Sequence, residues 1–503
     1  MPNGLQRVKH IVVLMLENRS FDHMLGYLKQ EKPDLEGLTG SESNPVDPAN
    51  PASRTMQVSN DARYSGDFSR SPGSGREIQV DPGHEFDDIR LQVYAPATGP
   101  TPGVPTNRGF VADYAAQKNS TPALAPNVMK CFAPQALPVL STLAREFAIC
   151  DHWFSSVPGP TWPNRLFAHT GSSEGRVGHK KKLYGMPTIQ AALRGQGRKA
   201  RIYAGDIAQS LLLKQLLFSG IFHQMNALWS HLRTGKLADY SFIEPDYFGG
   251  NANDQHPPHD VAAGERLIAD VYEALRASSY WEQSLLVIVW DEHGGLFDHV
   301  TPGRATPPDG KRSLSPPFDF DRFGVRVPAV VVSPFIAKGT IDHTEYDHTS
   351  IIATVRKCFG IAAPLTQRDA NANTLEGLLT LSAPRADTPL MLERPPRARA
   401  RAGAARAARA QPLSDLQRQL LALADLVAKT HARAGIRPVA KAAAPMKLAD
   451  EDSAKAYVAS VYAEETAVSN ALDPAPSSRP RPPAAPRTPR GRPRGKSRRK
   501  RSS

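Results

Sequence analysis

The sequence has no run of about 18 or more apolar residues, the length a helix needs to cross a bilayer, and that excludes a membrane-spanning helix. Cysteine is scarce: Cys131, Cys150 and Cys358 are scattered and odd in number, which argues against a disulfide framework or a cysteine metal cluster and for buried thiols. No internal repeat is visible. The first strand-like segment begins within about ten residues of the start, too early for a signal peptide, so a cytoplasmic product is the expectation. Acidic residues are missing from two stretches: Pro474 to Ser503 holds eleven Lys and Arg, and Arg394 to Ala410 holds six Arg. The formal net charge is +13, and without these stretches the remainder carries −4. Basicity therefore belongs to the appendages and says little about a site elsewhere.

A chain of 503 residues accommodates one large α/β domain with insertions, or two domains plus tails. Residues 1–390 read as one α/β unit. Strand-like apolar runs recur at Ile11–Leu16, Phe147–Trp153, Ala200–Ala204, Ser241–Ile243, Leu285–Trp290 and Pro328–Val332. Asp260–Ser279 has helical spacing and feeds directly into the run at Leu285, an αβ step that points to a parallel, doubly wound sheet. Residues 40–109, rich in Pro, Gly, Ser and Asp, read as long loops over the site with little regular structure. Residues 391–412 read as an Ala/Arg-rich linker, although Arg394–Ala410 also suits a helix. Residues 413–473 form a helical extension, with an amphipathic helix at Leu413–Lys429 and another at Ala454–Glu464. Residues 474–503 form a disordered Pro/Arg-rich tail.

Two acidic clusters follow strand-like runs: Glu17-Asn18 after His10–Leu16, and Asp291-Glu292 after Leu285–Trp290. Ligands of open α/β sheets sit beyond the carboxyl ends of strands, so clusters roughly 270 residues apart can converge on one point. Adjacent acids at a strand end are costly to bury without compensation, and a divalent cation supplies it; the Gly294-Gly295 pair lets the backbone fold tightly around it. The alternative for Asn18 and Asp22 is capping and turning the chain, and Asp22 and His23 read as structural. His293, Asp298 and His299 are ambiguous, since such a turn needs polar groups for its own backbone. In Pro158-Gly159-Pro160-Thr161-Trp162-Pro163-Asn164-Arg165, Thr161 stands at a helix entrance, where free N–H groups and the dipole favour an anion; an ordinary N-cap is the alternative. Arg165 either pairs with a carboxylate or holds the loop. His84, His256, His259 and His348 lie in polar loops, where a lone histidine is usually solvated. Beside a carboxylate metal site, four of them are better read as phosphate ligands or proton donors to a departing oxygen.

The strings ENRSFDHMLG, PGPTWPNR, NDQHPPHD, DEHGGLFDHV and YDHTS appear in that order. Over roughly residues 8 to 385 the chain resembles the bacterial phosphoesterase family that includes non-specific phospholipase C and the related acid phosphatase, a branch of the alkaline phosphatase superfamily. The resemblance implies an alkaline phosphatase-like three-layer α/β/α sandwich with a mostly parallel sheet. It implies a divalent metal held by Glu17, Asn18, Asp291 and Glu292 together with Thr161, whose hydroxyl is the nucleophile. His84 or His256 is then the proton donor, and Asn164, His259 and His348 are phosphate contacts. The all-oxygen donor set suits Ca²⁺, Mn²⁺ or Mg²⁺, with Zn²⁺ also open. Threonine at the nucleophile is the pattern of the phospholipase branch, whereas the acid phosphatase branch is known for serine; this favours a phospholipid or other phosphodiester substrate over a phosphomonoester. Members are often exported, and the expected export signal is missing here. The tail falls outside the resemblance. Its Arg and Lys suit an anionic lipid surface or, in a competing reading of the whole chain, nucleic acid. Deleting Pro474–Ser503 is expected to leave turnover of a soluble phosphate ester unchanged; loss of the only measurable activity in that assay would favour the nucleic-acid reading.

Overall fold

The computed structural model describes residues 4–70, 78–95, 103–250, 252–396, 413–435 and 451–472. Most of the expected linker and all of the expected tail lie outside these residues. Strand β1 (His10–Leu16) is followed by two small hairpins, β2 (Ser43–Pro45) with β3 (Thr55–Gln57) and β4 (Ser69–Arg70) with β5 (Ile78–Gln79). Then come β6 (Ala148–Cys150), β7 (Ala200–Ala204), β8 (Phe222–Gln224), β9 (Tyr240–Ile243) and β10 (Ser284–Trp290). A third hairpin, β11 (Ser313–Leu314) with β12 (Pro317–Phe318), precedes β13 (Ala329–Val332) and β14 (Ile341–Asp342).

Eight of these strands form one sheet in the order β14-β6-β13-β10-β1-β9-β7-β8. It is parallel except for β13, which runs antiparallel to β10 and to β6. The central strands β1 (HIVVLML) and β10 (SLLVIVW) are buried almost throughout. A strand covered on both faces needs apolar side chains on both, which is why these two read as unbroken apolar runs. All six expected strands are present. Phe147–Trp153 is shortened to β6, with Trp153 making only an isolated bridge to Tyr346. The direction of β13 is not visible in Ala-Val-Val-Val, a run that suits either orientation.

The helices are α1 (Phe21–Leu25), α2 (Phe86–Tyr94), α3 (Phe110–Ala116), α4 (Pro138–Glu146), α5 (Thr161–Thr170), α6 (Ile189–Gly195), α7 (Met225–Thr234), α8 (Val261–Arg276), α9 (Thr349–Phe359), α10 (Gln367–Asn371), α11 (Asp415–Arg433) and α12 (Glu451–Leu472). Helices α4, α7 and α8 pack together, as do α5, α6, α9 and α10, and the sheet lies between the two sets as the middle of three layers. Helix α8 is the expected Asp260–Ser279 segment, with Asp260 as its N-cap. Within residues 40–109 the structure departs from expectation. There α2, opened by a reciprocal Glu85–Asp88 capping box, joins α3, Phe68, Val80 and Phe297 in a second apolar core. A nine-residue helix that buries only one stripe is too short to stand out in a Pro- and Gly-rich sequence.

Helices α11 and α12 belong to the main core: Leu416, Leu420, Leu423, Val458 and Val461 are part of it. Polar contacts add to this. The Gly249 N–H donates to Glu451 at 2.7 Å, and the Tyr462 hydroxyl donates to the His223 carbonyl at 2.8 Å. Beneath the loops that follow β1 and β10, the fully buried Arg326 bridges Asp22 (3.0 Å) and Asp298 (2.9 Å), and Asp22 also takes His299 (2.6 Å). Asp22, Asp298 and His299 therefore share a structural ion network. Arg326→Met should leave two buried carboxylates without their guanidinium and cost about 3–5 kcal/mol. Urea unfolding measures this, and a loss under about 1 kcal/mol would show the network to be dispensable.

Candidate active site

Strand register brings the two acidic clusters together. Leu16 pairs with Trp290 across β1 and β10, so the residues that follow, Glu17 and Asp291, leave the sheet side by side. The Asp291 N–H still donates to the Leu16 carbonyl (3.1 Å), and the Asn18 N–H donates to Asp291 Oδ1 (3.0 Å). Asn18 has φ +54°, a left-handed conformation that asparagine tolerates better than most residues. Gly294 and Gly295, with φ of +66° and +70°, close the loop after β10. A Cβ on Gly294 would lie 2.3 Å from the Asn18 carbonyl oxygen, and one on Gly295 2.4 Å from that of Gly83. The two glycines thus let three loops touch, those carrying Glu17-Asn18, Asp291-Glu292 and His84.

Thr161 is the first residue of α5, with Pro160 as N-cap, so it stands within the first turn and is not itself the cap. Its hydroxyl donates to Glu17 Oε2 (3.2 Å) and lies 3.5 Å from Asn18 Oδ1. Glu17, Asn18, Thr161, Asp291 and Glu292 are all essentially inaccessible. One turn along α5, Arg165 reaches the same group: Nη2 is 2.6 Å from Glu17 Oε1 and Nε 3.4 Å from Asp291 Oδ2. Gln209, in the short turn after β7, donates to Glu17 Oε1 at 2.6 Å. Arg165 thus pairs with carboxylates, one of the two readings its motif left open, whereas Gln209 had no local signal.

Arg165 serves Glu17 and Asp291 and also lies 3.8 Å from Glu244, so buried carboxylates outnumber the guanidinium they share. Burial raises Glu17 well above the usual carboxylate range, with Asp291 adding to the shift and Arg165 opposing it. Burial likewise pushes Glu292 up to about 8 against the pull of His84. Asp291 Oδ2 and Glu292 Oε1 accept no hydrogen bond, an expensive state for buried carboxylate oxygens. Buried, all-oxygen and richer in carboxylates than in cations, these residues fit a hard divalent cation.

His84 and His256 face each other with ring centres 5.7 Å apart, and together with Asp81 they present three ligating groups within 4.8 Å. Burial alone would lower the His84 imidazole, but Glu292, Asp81 and Glu85 outweigh it and push it up to about 10. His256 is held well below its ordinary value by burial and by the His84 charge. A protonated histidine thus stands beside a neutral one, the division needed for acid–base work.

Three expected phosphate contacts are engaged elsewhere. Asn164 donates to the carbonyls of Val157, Gly159 and Pro160 and accepts from the Val157 N–H, so its amide shapes the Thr161 loop. His348 Nε2 donates to the Asp291 carbonyl at 2.6 Å while Nδ1 accepts from the Trp153 indole at 3.4 Å, which spends both nitrogens on holding the loop after β10. His259 Nδ1 is bound to Asp254 at 2.7 Å. A polar loop advertises donors and acceptors without saying which of them its own backbone consumes.

The model of the phosphoesterase family matches residues 8–362. The chain belongs to the phosphoesterase family. It is similar to non-specific phospholipase C6 of Arabidopsis thaliana, 42% identical over 411 residues that cover 76% of this chain and 75% of that one. Similarity to non-specific phospholipase C1 of the same plant is 41% over 406 residues, covering 76% and 73%. Phospholipase C B of Mycobacterium tuberculosis strain H37Rv is 27% identical over 450 residues, covering 76% and 80%. The phosphoesterase is a hydrolase acting on phosphoric ester bonds.

Cation binding requires ionised carboxylates, and those of Glu17 and Glu292 are raised, so affinity should fall as pH drops below about 8. Calorimetric titration with Mn²⁺ should show roughly tenfold or more tighter binding at pH 9 than at pH 6, with proton release at the lower pH. Equal affinity at both values would remove these carboxylates as ligands.

Proposed function

We propose that this phosphoesterase is a metal-dependent phosphodiesterase of phospholipase C type with Thr161 as nucleophile. The observation that carries the reading is the Thr161 hydroxyl, buried at a helix N-terminus and 3.2 Å from Glu17, in a chain whose relatives bear phospholipase C names. Glu17, Asn18, Asp291 and Glu292 would hold the divalent cation, which when bound supplies positive charge that lowers the pKa of a neighbouring hydroxyl and offsets developing negative charge.

Thr161 passes its hydroxyl proton to Glu17, which accepts its hydrogen bond, and Oγ attacks phosphorus; the bond to the leaving oxygen breaks, and a phosphothreonine that still carries the head group forms. Free N–H groups in the first turn of α5 favour the anion beside Thr161. His84, protonated and next to His256, delivers a proton to the departing alcohol. Water then attacks phosphorus and returns the threonine hydroxyl. Arg165 keeps Glu17 and Asp291 in place, and Asn164 holds the loop that aims Thr161.

Thr161→Ala is expected to lower release of phosphocholine from phosphatidylcholine by roughly a thousandfold or more, with the melting temperature and metal content unchanged. Full turnover in that variant would remove Thr161 from the chemistry. Wild-type hydrolysis of soluble monoesters but not of any lipid diester would move the protein to the acid phosphatase side of the family.

A further inference from the structure

A pocket of 340 Å³ opens beside the Thr161 loop. Pro158, three residues before Thr161, and Phe86, two residues after His84, both line it, so two strings of the site run directly into its wall. Along α2, Phe86, Arg90 and Tyr94 recur at i, i+4 and i+8 and give the pocket one helical side. The β11–β12 hairpin gives the other. Phe318 of that hairpin packs on Val157 and Phe167 and meets Phe86 ring to ring at 5.2 Å, which anchors the hairpin to the segment carrying Thr161.

The rim of the pocket differs from its base. Few large apolar side chains are exposed among the described residues, and two of them lie within two residues of the lining in sequence: Leu314, 79% exposed in the hairpin, and Leu91, 39% exposed next to Arg90. The lining itself is charged with both signs, with Arg304–Asp321 at 3.7 Å, Arg312–Asp319 at 3.2 Å and Arg90 paired to Asp87 at 3.6 Å. Arg322 stacks 5.8 Å over the Tyr94 ring. A projecting leucine on a hairpin whose neighbouring pocket is lined by paired charges of both signs complements a layer that places phosphate and ammonium groups over an apolar interior. Arginine suits that boundary because its stem lies along apolar surface while its head stays in the polar layer.

We propose that the β11–β12 hairpin and the outer turn of α2 form a lip that seats the enzyme on a zwitterionic phospholipid surface. Leu314 and Leu91 enter the boundary between headgroups and acyl chains, and the Arg–Asp pairs lie among the headgroups. The pocket between them receives the part of the lipid next to the scissile phosphate. This rests on the phospholipase reading for its purpose, but docking is measurable without turnover.

Full-length wild type and Leu314→Asp are to be sedimented with phosphatidylcholine vesicles and assayed separately on soluble p-nitrophenylphosphorylcholine. The lip predicts about tenfold or greater loss of vesicle binding for L314D, with soluble turnover and melting temperature unchanged. Equal vesicle binding by the two proteins would overturn it. Because a charged residue could unsettle the hairpin, Leu314→Trp serves as the second variant. It should bind vesicles at least as tightly as wild type and add blue-shifted emission in the vesicle-minus-buffer difference; an unchanged difference spectrum relative to wild type would also overturn the lip. Wild type that binds vesicles through Leu314 yet releases no phosphocholine would leave the lip standing and defeat the phospholipase reading.

Discussion

Parallel pairing of β1 with β10, with Leu16 opposite Trp290, is the constraint on which the chemistry depends. It ends two fully covered strands level with each other and forces Glu17 and Asp291 out of the sheet side by side, where neither reaches water. Like charges at close range without solvent are unfavourable. The site relieves this in part with Arg165 and Gln209, and in part by raising the proton affinity of Glu17 and Glu292. The energy that keeps them there comes from the apolar sheet and its helical layers, which bury continuous Val, Ile and Leu runs on either side.

The same crowding that raises the carboxylates organises the two histidines. Gly295 lets the loop of His84 approach the loop after β10, so Glu292 acts on the imidazole and keeps it protonated while His256 beside it stays neutral. The proposed mechanism uses these two environments at one point: excess negative charge to hold a cation by the nucleophile, and a retained proton for the leaving oxygen. His348 and Asn164 serve this arrangement from behind, one fastened to the Asp291 carbonyl and the other to the Thr161 loop.

Much of the fold was legible because a sheet covered on both faces has to be written in unbroken apolar runs; β1 and β10 are the clearest cases. Less legible were β8 and β14, three and two residues long, and α2 within residues 40–109, where a short helix hides among turn-forming residues before it packs with α3 in the second core. The acidic pairs and Thr161 announced themselves by position at strand ends and a helix start. Arg165 was left between two roles and Gln209 gave no signal, since what they do comes from where α5 and the turn after β7 cross over the strand ends.

The amino-acid order by itself determined which segments are buried on both faces, where the chain turns, and which oxygen-bearing residues follow strands. These are local matters, governed by side-chain polarity and spacing along a few residues. Tertiary structure alone decided which donors remain free for a ligand and which are consumed by backbone, that the Arg326 guanidinium pairs with Asp22 and Asp298, and that a hairpin and a helix more than 200 residues apart frame one pocket. Hydrogen-bond satisfaction and charge compensation depend on distances across the folded molecule, and separation along the chain does not encode those distances.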